Sequence, residues 1–146
     1  MPREYPEFPL LGVAVTVWHN GRVLLVQRGK PPNYGQWNIP GGLIELGEKL
    51  AEAARRELRE ECSIEITPPE IFTTVDILDY DDAGRIRYHY ILIEMTAEWI
   101  SGEPVAGDDA LAVRWFALED LATVPMWEQT REVLRLSQQI RENRQL

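Results

Sequence analysis

The segment 48–62 most constrains the fold, because it carries the repeat of an amphipathic helix in a chain otherwise rich in strand-like runs. Leu50, Ala54 and Leu58 recur every four residues, which places them on one helical face. A Gly-Gly pair at 41–42 precedes the segment, and Pro68-Pro69 interrupts regular structure after it. A central helix with strands before and after it predicts an α/β fold.

Strand candidates lie on both sides of this helix. Two apolar runs, 11–18 and 22–28, flank Asn20-Gly21, a dipeptide typical of a tight hairpin. From Pro125 onward, spaced apolar residues predict a terminal amphipathic helix with the proline in its first turn. We expect residues 1–146 to form one domain, a mixed β-sheet sandwiched between α-helices. Further strand-like runs lie at 71–78, 86–95, 97–100 and 112–116.

Three glutamates of the central helix, Glu57, Glu60 and Glu61, stand at i, i+3 and i+4 and therefore share one face. Like charges at this spacing repel each other, and carboxylate oxygens are the ligands that hard divalent cations prefer. The cluster therefore suits Mg²⁺ or Mn²⁺. A solvated helix face is the alternative interpretation, and the spacing alone leaves both open.

The residues around these glutamates form a longer pattern. From Gly42 the chain reads Gly, five residues, Glu48, seven residues and then Arg56-Glu57-Leu58-Arg59-Glu60-Glu61-Cys62-Ser63-Ile64. This pattern resembles the signature box of the Nudix hydrolases at every specified position except Ser63, where the family has glycine. That glycine ends the helix in a turn that favours positive φ. Trp37-Asn38-Ile39-Pro40 and the segment 26–28 also resemble the family.

The resemblance implies a mixed sheet between helices and metal-dependent hydrolysis of a pyrophosphate bond. Metal ions that bridge a diphosphate would activate water and stabilise charge on the leaving phosphate. Arg56 would orient the carboxylates, and Glu48 would support the loop–helix junction or bind a further metal. The resemblance also implies that Mg²⁺ or Mn²⁺ is bound by helix carboxylates and one backbone carbonyl, those of Glu57, Glu60, Glu61 and Gly41.

Residues outside the box complete the predicted site. Arg28 ends the second predicted strand, and its planar guanidinium suits a phosphate. Asp109, beside Asp108 in the acidic loop before the last predicted strand, is our candidate for an extra ligand or a general base. The alternatives are solvated positions for these charged residues and core positions for the aromatic ones. The aromatic side chains that could stack on a nucleobase are those of Trp37, Tyr80 and Trp115.

The net charge of −9 argues against some partners. An acidic chain repels phosphate backbones, so we expect no duplex nucleic acid, whereas a small nucleotide neutralised by metal ions remains compatible. No apolar run approaches the roughly 18 residues of a membrane span, and the N-terminus lacks the layout of a signal peptide. The single cysteine, Cys62, excludes an intrachain disulfide and is expected to pack at the helix end. These features predict a cytoplasmic protein.

We therefore predict an enzyme acting on a nucleoside diphosphate linked to another group. The stretch 26–37 resembles the ADP-ribose pyrophosphatase-like branch of the family, which makes ADP-ribose or a similar nucleotide sugar the first candidate. The marker proline of that branch is absent, and Tyr80 occupies its position. A tyrosine near that position is instead associated with dinucleoside polyphosphate hydrolases. The alternatives are a nucleoside triphosphate or dinucleoside polyphosphate pyrophosphohydrolase and a nucleotide-sensing module without hydrolysis. A homodimer is compatible with each of them.

Overall fold

The computed structural model describes residues 2–31 and 33–144. Its strands are β1 Leu10–His19, β2 Arg22–Arg28, β3 Trp37–Asn38, β4 Gly41–Leu43, β5 Glu65–Ile66, β6 Glu70–Tyr80, β7 Ile86–Ser101 and β8 Ala110–Ala117. The α-helices are α1, Leu50–Cys62, and α2, Glu128–Arg144, and a 3-10 helix, Leu118–Thr123, precedes α2. Among the described helices, none has the length and hydropathy required to cross a membrane.

Strands β1 and β7 form the centre of a mixed sheet, running parallel with Val13 opposite Ile93. The other pairings of the described strands are antiparallel: β2 lies beside β1, β8 beside β2, and β6 on the outer side of β7. Strand β4 pairs with the first half of β1, with Gly41 opposite Ala14. The predicted mixed sheet is therefore confirmed.

Each face of the sheet packs against one α-helix. Val13 of β1 and Leu58 of α1 belong to the same buried cluster, which fills the space between the sheet and α1. On the opposite face, Trp18 shares a second cluster with Leu134 of α2. The Trp18 indole Nε1 also donates a hydrogen bond of 3.1 Å to Ser137 Oγ of α2. The predicted sandwich of a sheet between helices is confirmed.

The first hairpin is also confirmed, whereas α1 begins slightly later than predicted. Asn20 and Gly21 both have positive φ, 51° and 73°, as a tight two-residue hairpin requires. Helix α1 begins at Leu50 instead of Glu48. The reason is a closed turn ahead of it, in which Glu48 Oε1 accepts the Glu45 N–H at 2.8 Å and the Glu48 N–H donates back to the Glu45 carbonyl at 3.0 Å.

Three other differences concern elements that tertiary contacts determine. The predicted strands 86–95 and 97–100 form one continuous strand of 16 residues, because β1, β5 and β6 pair along its length. Strands β3, β4 and β5 have two or three residues each, too few to show a periodic pattern. Helix α2 begins at Glu128, so Pro125 lies before it, and the Pro125 carbonyl instead accepts the Trp37 N–H at 2.9 Å.

Candidate functional site

Strand β4 brings two glycines against neighbours that leave no room for a side chain. A Cβ at Gly41 would overlap the Val13 carbonyl oxygen of β1. A Cβ at Gly42 would lie 2.5 Å from the Glu57 carboxyl group of α1. Glycine is therefore required at both positions for steric reasons. The contact at Gly42 places the Glu57 carboxyl group directly against the β4 backbone.

Arg56 lies at the centre of a network of carboxylates. Its Nε and Nη2 donate to the two oxygens of Glu48 at 2.6 and 2.8 Å, and Nη2 also donates to the Leu43 carbonyl at 3.0 Å. Its Nη1 donates to Glu57 Oε1 at 2.7 Å and to Glu60 Oε2 at 3.2 Å. The hydrogen bond from Arg56 lowers the pKa of Glu48 to about 2, and Glu48 in turn raises the pKa of Arg56. Arg56 thus fixes two helix carboxylates relative to β4.

The third helix carboxylate, Glu61, turns toward the sheet instead. Its Oε2 accepts the Gly41 N–H at 3.0 Å. Burial raises the pKa of Glu61 to about 7 against the opposing effect of this hydrogen bond, and repulsion from Glu57 raises it further. Arg28 and Asp109 also act electrostatically on Glu61, so both lie in the same charged environment. A buried carboxyl group with a raised pKa is favourably placed to receive added positive charge.

The C-terminal end of α1 is closed by a residue in a glycine-like conformation. Ser63, which stands where the Nudix pattern has glycine, has φ 62° in the left-handed region. The carbonyls of Glu61 and Cys62 accept the N–H groups of Gly107 and Val105 at 2.9 and 3.0 Å. The loop between β7 and β8 is therefore bonded to the helix end. Cys62 is buried as predicted, and burial raises the pKa of its thiol.

Asp109 lies at the rim of the site in this same loop. Its side chain is 75% exposed, and its Oδ1 lies 2.6 Å from Lys30 Nζ. The hydrogen bond from Lys30 lowers the pKa of Asp109, and the charge of Arg28 lowers it further. The Asp109 carbonyl accepts the Gly29 N–H at 3.1 Å, which fastens the loop to the end of β2. The fold thus brings Asp109 and Arg28 toward Glu61, as predicted, with the Asp109 carboxylate directed at Lys30.

The structure does not bring the rings of Trp37 and Tyr80 to the carboxylates. Trp37 is 7% exposed and packs edge-on against Phe116 with ring centroids 4.9 Å apart, so its ring is part of the core. Tyr80 is 56% exposed but pairs with Ile86 at the far end of the β6–β7 hairpin. Strand geometry places it roughly 20 Å along β6 from the row of Gly41. Their burial and register explain why neither ring faces the site.

The carboxylates offer the oxygen donors that Mg²⁺ or Mn²⁺ requires. In this conformation Glu57 and Glu60 are bonded to Arg56, and Glu61 is bonded to the Gly41 N–H. Among residues 2–31 and 33–144, no three His, Cys, Asp or Glu side chains are grouped to hold a metal ion. Metal binding therefore requires small side-chain rotations at α1. The donor chemistry, and the closely packed glycine backbone beside it, fit a hard divalent cation.

Two charged residues of this region were not predicted from the sequence. Lys30 lies two positions after Arg28, and the closeness of these two basic residues in the sequence could have indicated that both belong to the site. Glu94 is the single carboxylate in the apolar run from Ile91 to Met95 of β7, and it is only 3% exposed. Burial raises the pKa of Glu94 to about 7.

Comparison with known families agrees with this geometry. Residues 9–136 match the family model of the NUDIX domain. Because the match spans most of the chain, the protein belongs to the NUDIX family. The resemblance of the segment 42–64 to the Nudix box is thereby confirmed.

Two relatives illustrate the range of activities in the family. The ADP-ribose pyrophosphatase of Methanocaldococcus jannaschii is 32% identical over 113 residues, which cover 77% of this chain and 64% of the relative. The oxidized purine nucleoside triphosphate hydrolase of Danio rerio is 32% identical over 120 residues, which cover 77% of this chain and 69% of the relative. The chain thus spans somewhat less than two thirds of the first relative and slightly more of the second.

Solved structures show the same architecture. The crystal structure of a MutT NUDIX hydrolase from Burkholderia pseudomallei has a TM-score of 0.78 at 32% identity, covering 89% of this chain and 98% of that one. A bifunctional NMN adenylyltransferase/ADP ribose pyrophosphatase from Francisella tularensis, complexed with AMP and a manganese ion, has a TM-score of 0.66 at 29% identity. That match covers 90% of this chain and 42% of the Francisella protein. The likenesses confirm the predicted fold class.

Proposed function

We propose that this protein hydrolyses the pyrophosphate bond of a nucleoside diphosphate linked to another group, in a reaction that depends on Mg²⁺ or Mn²⁺. One observation carries the proposal. Glu57 and Glu61 of α1 lie against the glycine backbone of β4, and Arg56 is bonded to Glu57 and to Glu60 on the same helix. Membership of the NUDIX family supports the same reaction class.

The metal ligands that we propose follow from the available oxygen donors. Glu57, Glu60, Glu61 and the carbonyl of Gly41 would hold the ions, which supply positive charge for the diphosphate and promote attack by water. Glu48 is used differently, because both of its oxygens accept hydrogen bonds from Arg56. Of the two roles predicted for Glu48, we therefore propose the support of the loop–helix junction.

Two further residues, Arg56 and Asp109, have proposed roles in orienting the carboxylates and in accepting a proton. Arg56 orients Glu57 and Glu60 and partly offsets their mutual repulsion. Asp109 is the proposed acceptor of the proton from the attacking water, since a carboxylate can act as a general base and that of Asp109 is close enough to Glu61 to act on it electrostatically. To act in this way, its carboxylate has to turn away from Lys30 toward Glu61.

Two cations at the rim fit a diphosphate substrate. Arg28 lies at the end of β2, where its Nε donates to the Lys30 carbonyl at 3.3 Å. Its guanidinium acts electrostatically on both Glu61 and Asp109, so the phosphates would lie between the metal ligands and this residue. The Lys30 ammonium adds a second positive charge once a substrate releases it from Asp109.

ADP-ribose or a similar nucleotide sugar is the first candidate substrate. The likeness of the stretch 26–37 to the ADP-ribose pyrophosphatase-like branch supports it, as does the similarity to the Methanocaldococcus pyrophosphatase. Hydrolysis of a nucleoside triphosphate is the second candidate, which the similarity to the Danio hydrolase supports. A dinucleoside polyphosphate and a nucleotide-sensing role without hydrolysis complete the set of alternatives.

A substrate panel with product identification tests the proposal. The panel contains ADP-ribose, other nucleotide sugars, a diadenosine polyphosphate and an oxidised deoxynucleoside triphosphate, each with Mg²⁺, with Mn²⁺ and with excess chelator. We expect the highest kcat/KM for ADP-ribose, with AMP and ribose 5-phosphate as products and no turnover in chelator. The highest kcat/KM for a triphosphate or a dinucleoside compound would replace the substrate but keep the metal chemistry. Tight binding without turnover of any compound would support the sensing role.

A further inference from the structure

We propose that Glu94 recognises an exocyclic amino group on the nucleobase of the substrate. The inference rests on the proposed hydrolysis of a nucleotide substrate and specifies which part of that substrate the protein reads. It is based on the burial of Glu94, the residues that flank it and its position relative to Gly41.

Glu94 is a largely buried residue whose carboxyl oxygens have no protein partner but are not fully enclosed, since among the described residues Thr16 Oγ1 is the one fully buried side-chain oxygen or nitrogen without a hydrogen bond. It is 3% exposed, and across residues 2–31 and 33–144 no hydrogen bond or ion pair reaches its side chain. Burying such a group without a hydrogen bond costs free energy, so buried carboxyl groups normally have partners. Burial raises the pKa of Glu94, and no cation of residues 2–31 and 33–144 offsets this shift. A ligand would supply the hydrogen-bond donor that the protein lacks there.

Glu94 faces away from α1. Its neighbours Ile93 and Met95 belong to the hydrophobic cluster that packs on α1, and side chains alternate between the faces of a strand. Helix α2 is anchored on the face of Glu94 further along β7, where Arg141 pairs with Glu98 at 2.9 Å. Glu94 lies four residues before this anchor, roughly 13 Å along the strand, in the row of Gly41, the proposed metal ligand.

The row of residues from Glu94 to the glycines carries almost no side-chain volume. Glu94 pairs with Ala14 of β1, and Ala14 pairs with Gly41 of β4. Gly12, two residues before Ala14 and on the same face of β1, is covered by the Leu92 side chain, so the small residues of this row are Ala14 and Gly41. Two interstrand spacings separate Gly41 from Glu94, roughly 10 Å. This separation is within the reach of a nucleotide whose phosphates are held at Gly41.

The chemistry of a buried carboxyl group selects an N–H donor. The ionised carboxylate has only acceptor oxygens, to which an exocyclic amino group donates, whereas an oxo group presents lone pairs and leaves the carboxylate unpaired. The protonated form could donate its O–H to an oxo group, so the two bases are compared at about pH 9, above the raised pKa of Glu94. Sites built around a buried polar group discriminate strongly against analogues that cannot bond to it. Adenine carries an amino group at C6, where hypoxanthine carries an oxo group.

Two substrate pairs that differ by amino and oxo groups test the inference. They are ADP-ribose with inosine 5′-diphosphoribose, and ATP with ITP, and kcat/KM is measured for each compound, or Kd by calorimetry where no turnover occurs. We expect the wild-type protein to prefer the amino member of its better pair by roughly 10- to 100-fold. Glu94→Gln gains an amide N–H that can donate to an oxo group, so it should lose most of this preference while keeping the size of the side chain. Glu94→Leu, which removes the acceptor, should reduce the preference to roughly twofold.

A matched control separates recognition from a structural role. Ser137→Ala removes the hydrogen bond to Trp18 in the same sheet–helix layer, and it should lower Tm while the amino-to-oxo ratio stays unchanged. If Glu94→Leu lowered both members of a pair equally, or if the wild type did not discriminate between them, the inference would be overturned while the proposed hydrolysis stood. Neither turnover nor binding of any of the four compounds would overturn both.

Discussion

Arg56 occupies both carboxylate oxygens of Glu48 with hydrogen bonds of 2.6 and 2.8 Å, while a third nitrogen of the same guanidinium holds Glu57 at 2.7 Å. The planar fork of an arginine can serve these acceptors at once, whereas the single nitrogen of a lysine cannot. Glu57 and Glu60 are consequently positioned by one residue, whereas the third helix carboxylate, Glu61, is positioned by the Gly41 N–H.

Arg56→Lys should therefore impair both stability and activity although it conserves the charge. We expect a loss of about 1–3 kcal/mol in the free energy of unfolding, from the lost charge-assisted hydrogen bonds. Turnover should fall roughly tenfold or more, because Glu57 and Glu60 lose their orientation. Thermal denaturation and steady-state kinetics measure the two effects. Arg55→Lys, the same change one position earlier and outside this network, should alter neither, and equal effects of both variants would contradict the prediction.

Glu61→Gln should remove a metal ligand while keeping the fold. The amide still offers an oxygen to the Gly41 N–H but is a poor ligand for Mg²⁺. We expect kcat to fall by roughly 100-fold or more. The Tm increase that Mg²⁺ or Mn²⁺ gives the wild type by binding to the folded state should also disappear. Glu52→Gln, on the exposed side of α1, should retain both turnover and the metal-dependent Tm increase, and a fully active Glu61→Gln would refute the role of Glu61.

Asp109→Asn tests the proposed proton acceptor. Because the amide cannot accept the proton of the attacking water, kcat should fall roughly tenfold or more, with KM changed by less than about threefold. Asp108→Asn is the matched control, since it removes the same charge at the neighbouring position and should have little effect. If the two variants behaved alike, or if KM alone rose in Asp109→Asn, Asp109 would act only through its charge.

Ser63→Gly should stabilise the protein. Ser63 is exposed and holds φ 62°, a conformation that costs an L-residue free energy and costs glycine almost none. After the greater flexibility of glycine in the unfolded chain is included, we expect a gain of about 0.5–1 kcal/mol. Chemical denaturation at constant metal concentration measures this gain. Ser63→Ala keeps the strained φ and should show no gain, so a similar stabilisation by both changes would contradict the explanation.

The pH dependence of stability should carry a contribution from Glu94. Its folded-state pKa is raised from 4.5 to about 7, so the folded protein holds this proton more tightly than the unfolded chain does. The unfolding free energy should therefore decrease as the pH rises from 4.5 through 7 and then level off. The unfolding free energy of the wild type minus that of Glu94→Gln should be about 1–3 kcal/mol smaller at pH 8 than at pH 4.5. Parallel pH profiles for the two proteins, measured in chelator, would contradict this assignment.

The features that were predicted correctly depend on local sequence. Asn20-Gly21 specifies its hairpin through the conformations that these two residues tolerate, whatever surrounds them. The helix follows from the spacing of Leu50, Ala54 and Leu58, and the shared carboxylate face follows from the same periodicity. Such features require no knowledge of distant contacts.

The features that were missed depend on partners far away in the chain. Trp37 is covered by Phe116, which lies on a strand that pairs with β2 from the other end of the sequence. Tyr80 is remote from the site because of the register between β6 and β7, which its own sequence does not reveal. Glu94 acquires its position only through the parallel pairing of β7 with β1, a contact that no local pattern encodes.

The bonds from Val105 and Gly107 to the last carbonyls of α1 make the β7–β8 loop a structural stop for that helix. Insertions or deletions that shift these two amides would shift the end of α1, and with it the rotation of Glu61 relative to Gly41. Loop length between Gly102 and Asp109 is thus restricted in this protein even though most of the segment is exposed to solvent. Engineering that aims to change substrate range by grafting loops should therefore preserve positions 105–107.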